Sequence, residues 1–310
     1  MTPSLVKKTI KIFRDSKKKI FTDPKNRNVE IYKGSNFICP NQKEFYEFFD
    51  YQKLPFTKNS TLKLFKKARI DAFIVTKGSK GVSVIFNKAK KIEIPQEDVN
   101  VYDVTGAGDT FVALLSYLLS NNIDLINAIK IASYACAKVV QKKHTAVLSF
   151  NEFRIIIEDF CNNNSVNLKL KIVLWKLIKL KIGVTNGCFD VLHSGHLHLI
   201  EQAKKSCDKL IVLINSDSSV KKLKGKNRPI LKLKKRIKFL KMLKEVDEAD
   251  FFDEKTPEKI LNKILPDILF KGSDYKIKDV VGYQMIKKNG GHVKIISKLS
   301  NFSSSKLIQS

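Results

Sequence analysis

The regular alternation in the second half of this chain is what most limits its fold. Apolar runs of strand length, bounded by turn residues, recur between stretches of helical periodicity. Residues 182–185 precede an amphipathic stretch at 195–206, 210–214 precede a helix at 231–243, and 249–252 precede 257–264. The run 268–270 then precedes 282–288, and 293–296 precede a last short helix. Five β-α units in about 140 residues predict a parallel, doubly wound sheet, whose ligands sit where loops leave the carboxyl ends of the strands.

The first half is also α/β, but less complete. Thr2-Pro3 forms an N-cap and first-turn pair opening a helix with apolar positions Leu5, Val6, Ile10 and Phe13. Short strands are expected at 19–22, 73–76 and 82–86, and helices near 107–120, 124–141 and 151–160. The polar, structure-poor run Cys161-Asn-Asn-Asn-Ser-Val-Asn167 reads as a linker, which places one domain at 1–160, the linker at 161–178 and a second domain at 179–310.

Charge invites a nucleic-acid reading. The chain has 58 Lys+Arg against 30 Asp+Glu, a formal net charge of +28. Only six cations are arginine, the residue suited to bidentate phosphate and base-edge recognition, and lysine is spread over both halves. Solvated lysine faces account for this, so no specific nucleic-acid partner is expected. The longest apolar stretch, about 111–119, is short of the roughly 20 residues of a membrane span, and no secretory signal is evident. Five cysteines without a CxxC pair read as reduced cytoplasmic thiols, not a disulfide framework or a zinc site.

The densest chemistry follows the strand at 182–185. In Gly187-Cys-Phe-Asp-Val-Leu-His-Ser-Gly-His196, His193 and His196 are spaced i, i+3 at a helix start, with Gly195 between them. Free N–H groups and the helix dipole attract phosphate oxygens there, two imidazoles add donors, and Gly195 removes an obstructing side chain. The spacing is not that of a zinc site, so no metal ligand set is assigned. His198 reads as an ordinary helix residue. In the first half, successive N–H groups of Gly106-Ala107-Gly108 suit an anion hole, with Asp109 placed to accept a proton from an attacking hydroxyl.

Both constellations resemble known families. The ten-residue string from Gly187 to His196 resembles the GxFDxxHxGH signature of the cytidylyltransferase-like nucleotidyltransferases. Further similarities are Asn215-Ser-Asp217, Lys224-Gly-Lys-Asn-Arg-Pro229, Arg236, Pro266-Asp-Ile-Leu-Phe-Lys-Gly-Ser-Asp-Tyr275 and Ser303-Ser-Ser-Lys306. Asp103-Val-Thr-Gly-Ala-Gly-Asp-Thr-Phe111 resembles the second signature of ribokinase-like (PfkB) sugar kinases, supported by Asp23-Pro-Lys25, Asn41-Gln-Lys-Glu44 and Thr76-Lys-Gly-Ser-Lys-Gly81. Together the halves resemble the bifunctional heptose kinase/adenylyltransferases. The fold implied is a truncated ribokinase-like α/β half followed by a Rossmann-like doubly wound parallel-sheet nucleotidyltransferase domain.

The resemblance implies transfer of AMP from ATP, with Mg²⁺, to D-glycero-β-D-manno-heptose 1-phosphate, giving ADP-heptose and pyrophosphate in the cytoplasm of a Gram-negative-type bacterium. His193 and His196 would take the developing α-phosphate charge, and Lys224, Arg228 and Arg236 would bind phosphates. Gly187, Cys188, Phe189, Gly195 and Asp217 would line the nucleotide site, and Asp274 and Tyr275 would contact nucleotide or sugar. Asp190 either joins them or braces the turn, and Ser303, Ser304 and Ser305 either bind the β- and γ-phosphates or form a polar tail. In the kinase half the resemblance assigns Asp109 as base, Asn41 and Glu44 to Mg²⁺ and phosphate, and Thr76, Gly78, Gly81, Gly106, Ala107 and Gly108 to the nucleotide. His144-Thr145 stands where Gly-Thr is expected near adenine.

Nothing before Thr2 resembles the sugar-binding first half of such kinases. A split gene completed by a separate chain, a fragment and a relic scaffold are the readings of this, and kinase activity by the chain alone is not expected. A homo-oligomer is open. A cytidylyltransferase acting on glycerol 3-phosphate and a non-enzymatic nucleotide- or polyanion-binding protein are the competing functions.

Overall fold

The computed structural model describes residues 2–88, 90–96, 106–141 and 148–297. Ser303, Ser304, Ser305 and Lys306, the expected final helix, His144-Thr145 and the first residues of the string beginning at Asp103 lie outside them. The chain divides into two compact units, 1–164 and 165–310.

The first unit opens with α1 (Pro3–Asp15), whose N-cap Thr2 accepts from the Leu5 amide. Its sheet has the order β1 (Phe21–Thr22), β2 (Phe37–Ile38), β3 (Ala72–Thr76), β4 (Val82–Phe86) and β5 (Lys91–Ile94). The first three strands are parallel, and β4 and β5 turn back antiparallel. Two-residue strands such as β2 leave no period to read in a sequence. The β3–β4 turn depends on Gly81, at φ +82°, where a Cβ would lie 2.1 Å from the Ile94 carbonyl oxygen. Helices α2 (Gln42–Tyr51) and α3 (Lys58–Ala68) bury Phe45, Phe48, Phe49 and Phe65 around Phe73 of β3. The unit continues with α4 (Ala107–Ser120), α5 (Leu125–Val139) and α6 (Phe150–Asn163).

The asparagine-rich run is shorter as a connector than its composition indicates. Asn162 and Asn163 belong to the last turn of α6, and Asn167 caps α7 (Leu168–Leu177) by accepting from the Leu170 amide. Much of the expected 161–178 linker is therefore helix. Inside the second unit α7 buries Ile172, Leu174 and Trp175, and its Lys171 pairs with Glu248 at 2.6 Å. Asparagine favours caps because its short side chain satisfies orphan amides, so polarity here marks helix ends.

The second unit is a five-stranded, wholly parallel sheet: β6 (Ile182–Gly187), β7 (Lys209–Asn215), β8 (Glu248–Phe252), β9 (Ile268–Gly272) and β10 (His292–Ile296). Their spatial order is β10-β9-β6-β7-β8. The connecting helices are α8 (Ser194–Lys204), α9 (Asp217–Lys224), α10 (Leu233–Lys241), α11 (Glu258–Ile264) and α12 (Tyr283–Lys288). The chain builds outward from β6 through β7 and β8, then returns to the other side of β6 with β9. Loops diverge at that reversal and leave a crevice at the carboxyl end of β6. Gly183 keeps β6 close to its neighbours, since a Cβ there would lie 2.6 Å from both Cys207 Sγ and the Phe270 ring.

Candidate functional site

The crevice holds a cleft of about 470 Å³ lined from the carboxyl ends of the strands. Its floor is the turn that leaves β6. Gly187 faces the Phe189 ring, where a Cβ would lie 3.2 Å from a ring carbon. Phe189 itself adopts a left-handed backbone, φ +46°, which costs a non-glycine residue about 1–2 kcal/mol. This conformation buries the ring and sets it under His196, with centroids 4.9 Å apart. The imidazoles of His193 and His196 lie face to face, 3.8 Å between centroids and 32° between planes.

His193 is the N-cap of α8, but its side chain makes no capping hydrogen bond. The Nδ1 atoms of both histidines are buried without a hydrogen-bond partner, as are Asn186 Oδ1 and Thr185 Oγ1. Burial, with Lys224 nearby, lowers the His193 pKa. Burial first, then His193 and Lys224, push His196 down to about 3. Two neutral imidazoles thus stand at an uncapped helix start. An anion entering there meets donors and the positive end of the helix dipole, and favours protonation of the pair.

Gly187, Cys188, Phe189, His193, Gly195, His196, Lys224, Asp274 and Tyr275 all line this cleft. The Cys188 thiol, within 3.8 Å of Asn215 Oδ1, is pushed up by burial, so it presents an unreactive surface. Four expected residues, Asp190, Asp217, Arg228 and Arg236, lie outside this lining and are engaged within the protein, Asp190 in the bracing role that was one of its two readings. Arg236 is 1% exposed; its Nε donates to the Leu231 carbonyl, Nη1 to the Cys188 and Asn215 carbonyls, and Nη2 to Asp217 Oδ1, all at 2.6–2.9 Å. Asp217 also accepts from the Leu233 amide. Asp190, likewise buried, accepts from Arg228 Nη1 at 2.6 Å and from the Ile230 and Leu231 amides.

Asp190, Asp217, Arg228 and Arg236 therefore bind one another and the backbone between α9 and α10, tying that connection to the ends of β6 and β7. Their charges are matched within the protein, which is the condition for burying them. Lys271 and Asn215, present in the motifs but given no role there, also line the cleft, as do Asn186 and His198, the latter expected to be an ordinary helix residue. A lysine ending an otherwise apolar strand was the available signal for Lys271. His198 gave none, because its place on the wall depends on how α8 sits on the sheet.

The first unit gathers a smaller hollow of about 220 Å³. Asn41, Glu44, Thr76, Gly106, Gly108 and Asp109 line it together with Asp23 and Lys25. Asn41 and Glu44 also cap α2 reciprocally, each side chain bonding the other's backbone amide at 2.8–2.9 Å. Gly78 and Gly81 instead shape the β3–β4 turn, and Ala107 accepts from the Cys136 thiol, so these three do not bound the hollow.

Magnesium binds through one or two carboxylates plus phosphate oxygens and water. Asp109, with Asp23 or Glu44 beside it on the same hollow, would supply the one or two carboxylates of that donor set. In the larger cleft a single carboxylate, Asp274, is part of the lining, so a metal there would be held chiefly by phosphate oxygens. No metal-binding group of three or more His, Cys, Asp or Glu occurs among the described residues, and no helix among them is long and apolar enough to cross a membrane.

Residues 1–151 match the family model of pfkB family carbohydrate kinases, and residues 184–310 match that of the cytidylyltransferase-like family. The chain is 34% identical to the bifunctional protein HldE of Nitrobacter winogradskyi and 34% identical to that of Rhodopseudomonas palustris strain BisB5. Each match covers 100% of this chain and 65% of the relative, so the chain spans about two thirds of the length of the curated relatives it matches. Among solved structures, the lipopolysaccharide core biosynthesis protein from Thermoplasma volcanium GSS1 is 30% identical, covering 40% of this chain and 99% of its own, with a TM-score of 0.34. The ribokinase of Thermotoga maritima is 24% identical over 48% of this chain and 52% of its own, with a TM-score of 0.42.

Proposed function

Taking as premise that the chain joins a ribokinase-like, pfkB-type segment to a cytidylyltransferase-like domain, we propose that its second unit transfers AMP from ATP to D-glycero-β-D-manno-heptose 1-phosphate. The products are ADP-heptose and pyrophosphate. The observation that carries this reading is the close, tilted pair His193 and His196, with both Nδ1 atoms buried at an uncapped helix start. The sugar phosphate oxygen attacks the α-phosphorus, a new P–O bond forms, and the α–β bridging P–O bond breaks with its electron pair leaving on pyrophosphate. A phosphate monoester is already anionic at neutral pH, so the attack needs no general base. What it needs is alignment and neutralisation of charge on the α-phosphate. The two imidazoles supply donors at that point, Phe189 fixes the plane of His196, and Lys224 adds a cation at the rim. Bound Mg²⁺ would neutralise phosphate charge.

The test is pyrophosphate release by the full chain with ATP and heptose 1-phosphate, with the sugar nucleotide identified directly. His196→Asn is expected to lower kcat about 10²- to 10³-fold. Unchanged turnover in that variant overturns the assignment. Product formed from CTP and glycerol 3-phosphate instead would favour the cytidylyltransferase reading.

For the first unit we propose a nucleotide-side half of a sugar kinase whose sugar site is completed by polypeptide beyond these residues, in the same chain or a separate one. A reaction drawing on ATP and sugar phosphates is one for the cytoplasm, which we propose as its location.

A further inference from the structure

Lys271 is the last cation before the end of β9, and it is nearly buried at 8% exposure. Its Nζ donates one hydrogen bond, to the Asn186 carbonyl at 3.2 Å, and lies 4.8 Å from the centre of the Tyr275 ring. An ammonium group so enclosed normally pairs with a carboxylate or has all three protons satisfied. Lys271 lines the same cleft as His193 and His196. Strand order then separates it from the other two lysines there, since Lys255 follows β8 on the same side of β6 as Lys224. Lys224 ends α9, which follows β7 on one side of β6, and Lys271 ends β9 on the other side. The histidine pair, at the end of β6, lies between these flanks.

An in-line displacement has the same layout. The attacking phosphate and the departing pyrophosphate occupy opposite sides of the α-phosphorus. A monophosphate matches a single enclosed cation. Pyrophosphate, with more charge and a metal ion, matches the solvated side at Lys224. We propose that Lys271 binds the phosphate of the acceptor sugar and holds it on the β9 flank of the histidine pair. This rests on the transferase reading above and adds to it a division of the cleft between the two substrates.

The charge state of Lys271 supports the assignment. Burial first, opposed by the Cys188 thiol and Asp274, pushes its pKa down to about 8. Cys188 leaves β6, Asp274 and Tyr275 follow β9, His193, His196 and His198 belong to α8 and its start, and Lys224 and Lys255 complete the charged lining. The amine is charged below about pH 8 and neutral above it, so acceptor binding weakens as pH rises through that value.

The experiment measures binding of heptose 1-phosphate and of ATP separately to the full chain by calorimetry, alongside steady-state kinetics. Lys271→Met is expected to weaken sugar phosphate binding about 10- to 100-fold and to leave ATP affinity within about two-fold. Lys271→Arg is expected to keep sugar phosphate binding and remove the alkaline limb near pH 8 from kcat/KM for the acceptor. A melting temperature of Lys271→Met equal to that of the unmodified chain excludes misfolding, and the arginine variant gives the readout if it does not. Loss of ATP affinity with acceptor binding intact, or no change in either, overturns the inference. An unmodified chain that binds the sugar phosphate through Lys271 and yet releases no pyrophosphate defeats the transferase reading alone; one that does not bind the sugar phosphate defeats both.

Discussion

Arg236→Met separates bracing from phosphate binding at the residue where sequence and structure differ most. Arg236 uses four donors on four acceptors, three of them backbone carbonyls, and is 1% exposed. Methionine matches the length of the apolar stem but leaves the carbonyls of Leu231, Cys188 and Asn215 without this donor. Removing one partner from a buried polar network costs about 1–3 kcal/mol for each group left unsatisfied. The Asp217 side chain is 31% exposed, so water screens its loss and it adds little. Water and relaxation satisfy part of the remainder, and the expected total is about 3–5 kcal/mol. For a unit of this size that corresponds to a fall in melting temperature of roughly 6–20 °C. The assay is calorimetric or circular-dichroism melting of the full chain, with ATP affinity measured well below the transition. A variant that melts normally but binds ATP ten-fold or more weakly would refute the bracing role and restore Arg236 as a phosphate ligand.

Three further outcomes follow from the same geometry. The unfolded chain protonates His196 below its ordinary value of 6.5 while the folded chain resists until about 3. Acidification below 6.5 therefore costs the second unit up to about 1.4 kcal/mol per pH unit, and His196→Asn should flatten that slope in melting curves taken from pH 7.5 to 5. Gly183→Ala places a methyl 2.6 Å from Cys207 and Phe270 and should destabilise the second unit by about 1–3 kcal/mol, read by urea denaturation. Incubated with heptose 7-phosphate and ATP, the chain alone should form no sugar bisphosphate by mass spectrometry; stoichiometric product would show that its first unit needs no added polypeptide.

Much of the second unit was legible because its signals are local. A parallel strand buried on both faces is a short apolar run, and β6, β7 and β9 each appear as one, whereas the edge strand β10 alternates, with His292 and Lys294 exposed. His193, Gly195 and His196 lie within one helical turn, so their convergence follows from α-helical geometry without knowledge of the rest of the chain. The first unit was less legible. The two-residue strands carry no period, and α2 and α3 place their aromatic residues around Phe73 only once the sheet exists.

The sequence alone determined the βα order, the histidine pair and the turn that presents it, since each depends on residues a few positions apart. Tertiary structure decided which charges meet the cleft. Asp190 and Arg228 are 38 residues apart, and Asn186 and Lys271 are 85 apart. Whether a cation is matched within the protein or left facing a cavity depends on strand order, which brings β9 beside β6 and sends β7 to the other side. Arg236 and Lys271 are both nearly buried basic residues. The first is surrounded by carbonyls and a carboxylate, and the second has one carbonyl, an aromatic face and an open cleft. That difference is one of desolvation and partnering, which no local pattern encodes.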